Sequence, residues 1–455
     1  MKYAIFRVFL ATTIFFMGYA TPRISLAGTS DVNLIPPQIV LRGQIPAESP
    51  PSETVDSISL DWAVEATLNQ HPSLAATWYE IKARQGAALQ AELSPNPAFF
   101  GEIEEFGGSG EVSGTAVMSS RIGISQEFLL GGKIAKRKRK AEASTRIASL
   151  EYGAKIMEIR ALVEKRFLEV FTLQERLHLQ SEHLDFIQKT HDVVMKRVKA
   201  GDASPLDLSR SQIELASARI GIDQIRNELE VARHALAGLW GARSPVFSSV
   251  SAQYKLDQNF TEQELKEDLE QSPVWRLQEE QIVHAGAALD LAEAQRIPDI
   301  ELEGGVQQFN ESDDHAFFLG ITIPLTLFDR NQGGIAEARA MKRKAHYEKE
   351  SKFLALHMEL QEAWQKLVST RQAVQSLETE VLSIAQNAYE SISKAYMSGE
   401  VDILRLLDAQ RTWVEIRMVR LDLLHELESS RIEIKRLVDQ RVIFPAASLT
   451  SNTHN

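Results

Sequence analysis

The sequence contains no cysteine among its 455 residues. Disulfides and zinc or iron–sulfur sites built on cysteine are therefore excluded. Positive charge is also in deficit, because the formal net charge is −12 at pH 7. A protein that binds nucleic acid needs a basic surface for the phosphates, so this charge argues against a nucleic-acid partner.

Proline is absent from two long stretches, 132–200 and 334–398. Each stretch predicts one helix of roughly 100 Å, at 1.5 Å per residue. Each is followed by a glycine, Gly201 or Gly399, and glycine is the favoured residue just beyond a helix C-terminus. Helices of this length are too long to cover a small sheet in a compact domain.

The chain repeats itself. Residues 122–143 align with 319–340, and residues 199–212 align with 397–410. A duplication of this length predicts two copies of one supersecondary unit. We expect each copy to run helix, strand, strand, very long helix, tip and shorter return helix. The predicted divisions are a first repeat, a linker, a second repeat and a C-terminal tail, over 58–240, 241–260, 261–440 and 441–455.

The N-terminus is typical of an export signal over 1–27. Lys2 and Arg7 give a basic start, and the largely apolar run over 5–17 is too short to span a bilayer. Small residues then offer cleavage after Ala27, with Ala20 as a second choice, and an uncleaved membrane anchor is the alternative. Residues 28–57 contain five prolines, which predicts an extended, mobile segment.

Two segments in each copy alternate apolar with polar residues, which is the period of a β-strand. Their length of about nine to eleven residues matches a tilted transmembrane strand. A soluble sheet is the alternative. Each copy has only two such segments beside very long helices, however, and this favours strands that span a membrane. Loops rich in Gly, Ser and Asp are expected to join them at 107–115 and 310–314. The predicted strands are 98–107, 116–126, 299–309 and 315–324.

Half-length helices flank the long ones. The first helix of each copy is predicted over 59–93, with a break or bend at Pro72, and over 262–295. The return helices are predicted over 204–238 and 402–438. Two half-length helices stacked end to end match one long helix, which predicts the wall of a cylinder.

A sheet of four strands leaves two unpaired edges. Lipid cannot form hydrogen bonds with the backbone N–H and C=O groups of these edges. Closure therefore needs further copies of the chain. The expected fold is mainly α with a small transmembrane β part. It would be a homotrimer whose twelve-stranded β-barrel continues into a long periplasmic α-helical barrel.

Several motifs at corresponding places in the two copies carry a resemblance to a known family. They are Ser94–Pro97, Gln126–Phe128 with Gly131–Lys133, Ile323–Leu325 with Phe328–Gly333, and the tip from Gly399 to Gln410. Over about 58–440 the chain resembles the TolC-type outer membrane efflux proteins. It is most similar to the outer membrane channel of cobalt–zinc–cadmium-type cation efflux systems. The two copies differ at the elbow, the turn from the second strand of each copy into its long helix. The first copy has Gln126 and Glu127 there, where the second has Ile323 and Pro324.

The resemblance implies a passive exit duct in the outer membrane of a Gram-negative bacterium, with a large periplasmic extension. Its partners would be a periplasmic adaptor protein, an inner membrane pump of the resistance-nodulation-division type and outer membrane lipid. The cargo would be divalent heavy-metal cations. Neither an enzymatic activity nor a cofactor is expected. A multidrug or type I protein secretion channel is an alternative cargo class, and a soluble periplasmic coiled-coil adaptor or scaffold is an alternative of another class.

In this family the hairpin tips dock the adaptor and close the periplasmic end. The docking positions in this sequence are Gly201, Ser204, Leu206, Gly399, Asp402 and Leu404. Ser204 is also expected to cap its return helix, with Pro205 and Asp207 in the first turn, and Asp402 to cap the other.

Asp408 falls at the position of a cation-binding gate aspartate of the family, and Arg405 replaces a second such aspartate. Both are therefore candidate gate residues, and the alternative for Asp408 is a solvated helix surface. No metal site is expected, because His178, His183 and His191 on one helix include no pair at the i, i+4 spacing. The basic run from Lys133 to Lys140 could touch lipid phosphates, cap the end of the long helix or lie in solvent.

Overall fold

The computed structural model describes residues 55–254 and 261–439. The predicted export signal, most of the predicted extended segment and the predicted C-terminal tail lie outside the described residues. Part of the predicted linker, 255–260, lies outside them as well.

The first repeat has the predicted order of elements, preceded by a strand. Its elements are β1 (Val55–Ser59), α1 (Leu60–Gln70), α2 (Pro72–Ala91), β2 (Ala98–Glu104), β3 (Ser119–Phe128), α3 (Lys133–Ala200) and α4 (Pro205–Gly238). The long helix α3 is a single α-helix of 68 residues, as its lack of proline predicts. The break between α1 and α2 lies at His71, next to the predicted Pro72.

The second repeat follows the same order. Its elements are β4 (Phe247–Ser251), α5 (Glu262–Glu270), α6 (Pro273–Ala294), β5 (Ile300–Phe309), β6 (Asp314–Thr322), α7 (Gln332–Ser376), a π-helix (Leu377–Val381), α8 (Leu382–Ser398) and α9 (Ile403–Val438).

Two helix predictions for the second repeat are wrong in detail. The helix expected over 262–295 is divided, because the side chain of Ser272 caps a new helix that begins at Pro273. Proline has no N–H to donate, so it favours the first turn of a helix over its interior. The long helix expected over 334–398 is interrupted by the π-helix Leu377–Val381. Arg420 of α9 holds this segment through Glu378, with its Nε and Nη2 both donating to Oε1 at 2.9 and 2.7 Å.

The predicted strands form one antiparallel sheet in the order β2–β3–β5–β6. Strand β2 ends at Glu104 and not near 107, since Glu105 has a φ of 60° and starts the loop. Strand β3 begins at Ser119 and not at 116, because a turn bonds Met118 N to Thr115 O at 3.3 Å. Strand β6 ends at Thr322, two residues before Pro324. Strands β2 and β6 are the two edges of the sheet, as the closure prediction requires.

A second, two-stranded sheet corrects the prediction of only two strands per copy. β1 and β4 pair in parallel at equivalent places, each at the start of a repeat. β1 overlaps the segment expected to be mobile, and β4 lies in the predicted linker. Trp240 is 2% exposed behind this sheet, 5.4 Å from the ring of Trp62 and 6.1 Å from that of Phe247. Strands of five residues are too short to show a period in the sequence.

The helices pack side by side, and the buried residues lie along their contacts. One cluster joins α5, α7 and α9 through leucines such as Leu269, Leu367 and Leu427, each at most 1% exposed. No helix within 55–254 or 261–439 is both long and apolar enough to cross a membrane.

Candidate functional site

The turns α3–α4 and α8–α9 form two tips with the same backbone geometry. Gly201 and Gly399 end the preceding helices in the left-handed region, with φ of 84° and 81°. Asp202 N donates to Arg197 O at 2.8 Å, and Glu400 N donates to Ala395 O at 2.9 Å. These bonds satisfy carbonyl groups that a helix end leaves unpaired. The duplication inferred from the sequence therefore extends to individual hydrogen bonds.

The predicted caps start both return helices. Ser204 Oγ accepts from Leu206 N at 3.1 Å, and the Asp207 carboxylate accepts from Ser204 N at 3.3 Å. Asp402 Oδ1 accepts from Arg405 N at 3.0 Å. The capping predictions for Ser204, Asp207 and Asp402 are confirmed, and they fix where each chain reversal ends.

An apolar cluster lies behind both tips and joins them. Its buried members are Ile187, Val194, Leu215, Tyr396, Ile403, Leu406 and Leu407. Arg197 also links the tips, since its guanidinium carbon lies 5.2 Å from the ring centroid of Tyr396. Leu206 and Leu404 point away from this cluster and are 57% and 47% exposed. Sequence reasoning missed Arg197, because its partner Tyr396 is 199 residues away.

The candidate gate residues Arg405 and Asp408 are both exposed on α9. The ion pairs formed by the described residues do not include one between these two side chains. One protomer therefore leaves both charges available to a neighbouring molecule.

The three histidines of α3 have separate partners. His178 Nε2 lies 3.1 Å from Glu182 Oε1, His183 Nδ1 lies 3.1 Å from Gln410 Nε2, and His191 Nδ1 lies 2.9 Å from Ser211 Oγ. The pKa of His183 lies below its usual value, chiefly because the ring is partly buried. The negative charge of Glu214 opposes this shift, and the positive charge of Arg411 adds to it. The His178 contact lies within α3, whereas those of His183 and His191 join α3 to α9 and to α4, and no two of the three rings share a partner.

The basic run at the start of α3 ties that helix to its neighbours. Lys133 Nζ lies 2.7 Å from Asp299 Oδ2, and Lys138 Nζ lies 2.6 Å from Glu92 Oε2. Arg137 Nη2 donates to Leu93 O at 3.0 Å, beyond the end of α2. These contacts hold the start of α3 against the segment after α2 and the segment before β5, whereas the N-terminus of α3 has no side-chain cap.

The elbow between β6 and α7 shows what the Phe328–Gly333 motif does in the fold. Asn331 adopts a φ of 55°, and its Nδ2 donates to Ala292 O at 2.8 Å and to Gln295 Oε1 at 2.9 Å. Asp329 Oδ1 accepts from Asn331 N at 2.8 Å. The motif therefore turns the chain from the sheet into the long helix and fastens that turn to the end of α6.

The family model described as outer membrane efflux protein matches residues 63–242 and 265–439, which include both repeats. The chain belongs to this family. The cobalt-zinc-cadmium resistance protein CzcC of Cupriavidus metallidurans is 29% identical over 391 residues, 85% of this chain and 91% of that protein. The cation efflux system protein CusC of Escherichia coli K12 is 26% identical over 282 residues, 57% of this chain and 59% of CusC.

Solved structures agree on the fold. The outer membrane channel OprN superposes with a TM-score of 0.70 at 21% identity, over 83% of this chain and 89% of OprN. A crystal structure of CusC also superposes with a TM-score of 0.70, at 19% identity over 86% of this chain and 94% of the CusC chain. The resemblance to TolC-type channels is confirmed, and the protein is an outer membrane efflux channel. The expectation of a conduit without enzymatic activity agrees with this family.

Proposed function

We propose that this channel is the exit duct of a tripartite pump that exports divalent heavy-metal cations. The observation that carries the cargo is the similarity to CzcC, a cobalt-zinc-cadmium resistance protein, over 85% of this chain. A periplasmic adaptor and an inner membrane pump of the resistance-nodulation-division type would complete the system. The duct would lie in the outer membrane of a Gram-negative bacterium.

The proposed assembly is a homotrimer with twelve strands. In its support, β2 and β6 are unpaired edges of one protomer's sheet. One face of that sheet is strongly apolar, with Phe317 91%, Leu319 82% and Phe99 76% exposed. Three copies joined edge to edge would satisfy both edges and turn this face to lipid. We expect folded protein to purify only as a trimer, and a stable folded monomer would contradict the assembly.

The proposed docking surface is the pair of tips. Gly201, Ser204 and Leu206 of one tip, with Gly399, Asp402 and Leu404 of the other, would contact the adaptor. The support is the common backbone geometry of the tips and the exposed leucine on each.

The proposed gate is formed by Arg405 and Asp408 of three chains. Three Asp408 carboxylates near the axis would attract cations, and Arg405 would pair with Asp408 of a neighbouring chain. Each exposed pair would contribute about 1 kcal/mol or less to closure. Arg405→Ala should therefore raise single-channel conductance, and Asp408→Ala should weaken block by multivalent cations. Unchanged conductance and block in both variants would make these residues ordinary helix surface.

The cargo is tested by deletion of the gene and re-expression in its host. The deletion strain is challenged with Zn, Co, Cd, Ni and Cu salts and with a panel of organic toxicants. We expect sensitivity to divalent metals alone, reversed by the wild-type chain. Sensitivity to organic toxicants alone would instead identify a multidrug channel. Loss of secretion of a protein, with normal metal resistance, would identify a secretion channel.

A further inference from the structure

The two faces of the four-stranded sheet differ completely in charge. Cross-strand partners share a face, and so do alternate residues along a strand. By this register the apolar face carries no Asp, Glu, Lys or Arg on β2, β3, β5 or β6. The opposite face carries one basic residue, Arg121 of β3. Its acidic residues on the same strands are Glu102, Glu104, Glu127, Glu301, Glu303 and Asp314.

Glycines open a shallow floor in the middle of the charged face. Gly123 of β3 lies opposite Gly305 of β5 in the central strand pair. A Cβ at Gly123 would lie 2.8 Å from the ring of Phe100, its partner on β2. A Cβ at Gly305 would overlap the carbonyl oxygen of Ile122. The backbone is therefore bare here, and an aromatic ring can lie flat over a glycine in a sheet.

Two phenylalanines meet above this floor. Phe100 comes from β2 across from Gly123, and Phe318 comes from β6 across from Gly305. Their ring centroids are 6.0 Å apart, which is within the range of a favourable aromatic pair. The pair joins the two edge strands across the central two.

Arg121 lies on this aromatic platform between two carboxylates. Its guanidinium carbon is 4.2 Å from the centroid of Phe318, a cation–π distance. Nη1 is 3.4 Å from Glu102 Oε2, and Nη2 is 3.9 Å from Glu303 Oε1. The side chain is only 25% exposed. The one cation of the acidic face is thus held low against the sheet, shared between glutamates from β2 and β5.

We propose that Arg121 determines the ion selectivity of the β-lined lumen, by preventing Glu102 and Glu303 from acting as a cation trap. This inference rests on the proposed trimeric channel, in which the charged face lines the lumen. The remaining carboxylates attract cations along the duct. At the level of Arg121 the two glutamates are already paired, so a multivalent cation passes without lodging between them. The contact with the Phe318 ring keeps the guanidinium against the sheet and out of the path of the cargo.

The test is the reversal potential of purified channels in planar bilayers under a KCl gradient, with block by Zn²⁺ as a second readout. Arg121→Gln should shift the reversal potential towards that of a cation-selective pore. It should also lower the Zn²⁺ concentration for half-maximal block about fivefold, because two unpaired carboxylates then face the lumen. Arg121→Lys keeps the charge and should stay near wild type. Adding Glu102→Gln and Glu303→Gln to Arg121→Gln should abolish the extra block.

The outcomes separate this inference from the proposed function. A wild-type protein that forms no conducting pore would overturn the channel itself. A conducting wild type with unchanged selectivity and block in Arg121→Gln would overturn the role of Arg121 alone. If Arg121→Gln does not assemble, Glu102→Gln in an otherwise wild-type channel decides, because it should shift the reversal potential in the opposite direction. No shift there would also overturn the proposal.

Discussion

The two helical hairpins end in matching tips but reach them differently. In the first, α3 runs as one α-helix of 68 residues to Gly201. In the second, α7 gives way to the π-helix Leu377–Val381 before α8 continues to Gly399. The helix that leads to the first tip is also the better buried of the two, since α8 has one buried residue, Tyr396, among its 17.

A difference in length between the two copies explains the π-helix. Gly320 follows Gly123 by 197 positions, whereas Gly399 follows Gly201 by 198. The second copy therefore has one extra residue between its elbow and its tip. A π-helical turn takes up one residue without moving the helix on either side of it. The two tips therefore have the same geometry because the extra residue is absorbed in mid-helix.

The largest expected difference comes from removing one residue from each long helix. Deletion of Thr379 should convert the π-helix to α-helix and leave the tip in place, with a melting temperature close to wild type. Deletion of Ser181 in α3 should rotate Ile187 and Val194 by about 100° out of the tip cluster. That protein should lose trimer assembly or metal resistance. Thermal unfolding monitored by circular dichroism, with resistance assays, checks both. Equal damage from the two deletions would contradict the extra-residue explanation.

Replacement of the glycine should have the same effect at both tips. Gly201→Ala and Gly399→Ala each place a Cβ on left-handed backbone, at a cost of about 1–2 kcal/mol. We expect deformed tips and reduced resistance, with the sheet intact. Gly86→Ala is the matched control, because a Cβ there meets nothing within 4 Å and its φ is not positive. Alanine should stabilise that helix by up to about 1 kcal/mol. Wild-type resistance in both tip variants would remove the tips from the mechanism.

A smaller effect is expected at the exposed leucines. Leu206→Ser and Leu404→Ser should each weaken adaptor binding about tenfold, as loss of an apolar anchor does at interfaces. Neither should change the unfolding temperature, because both side chains are half exposed. Ile213→Ser on α4, at 65% exposure, is the control away from the tip. Cross-linking of the channel to its adaptor measures the change. An effect at only one leucine would show that the adaptor distinguishes the two tips.

The smallest expected effect is acid sensitivity at the contact of α3 with α9. Burial lowers the pKa of His183 below its usual 6.5. The unfolded chain therefore takes up a proton before the folded one, so stability is full above about pH 6.5 and falls as the pH drops below it. After correction for the intrinsic exchange rate, the protection of α3 amides near His183 against hydrogen exchange should fall between pH 7.5 and 5.5, whereas that of α8, which has no histidine, should change less. His183→Gln should reduce this dependence. A pH profile unchanged by that substitution would place the sensitivity at another half-buried histidine, such as His425.

The sequence alone determined the features that depend on neighbouring residues. The length of α3 follows from its missing prolines, and the helix starts at Ser204 and Asp402 follow from capping chemistry within three residues. The sheet strands follow from alternation over seven to ten residues, with errors at their ends where a turn at Met118 or a positive φ at Glu105 intervenes. The family motifs were also local.

Features that need distant partners become visible only in the folded chain. Strands β1 and β4 are too short to be recognised without each other, and the π-helix depends on where the flanking helices already pack. Arg121 has no unusual sequence context, and its role arises when Glu102, Glu303 and Phe318 meet it across three strand pairings. Local patterns report only what a residue does with its near neighbours, whereas these contacts exist because the sheet register places distant side chains on one face.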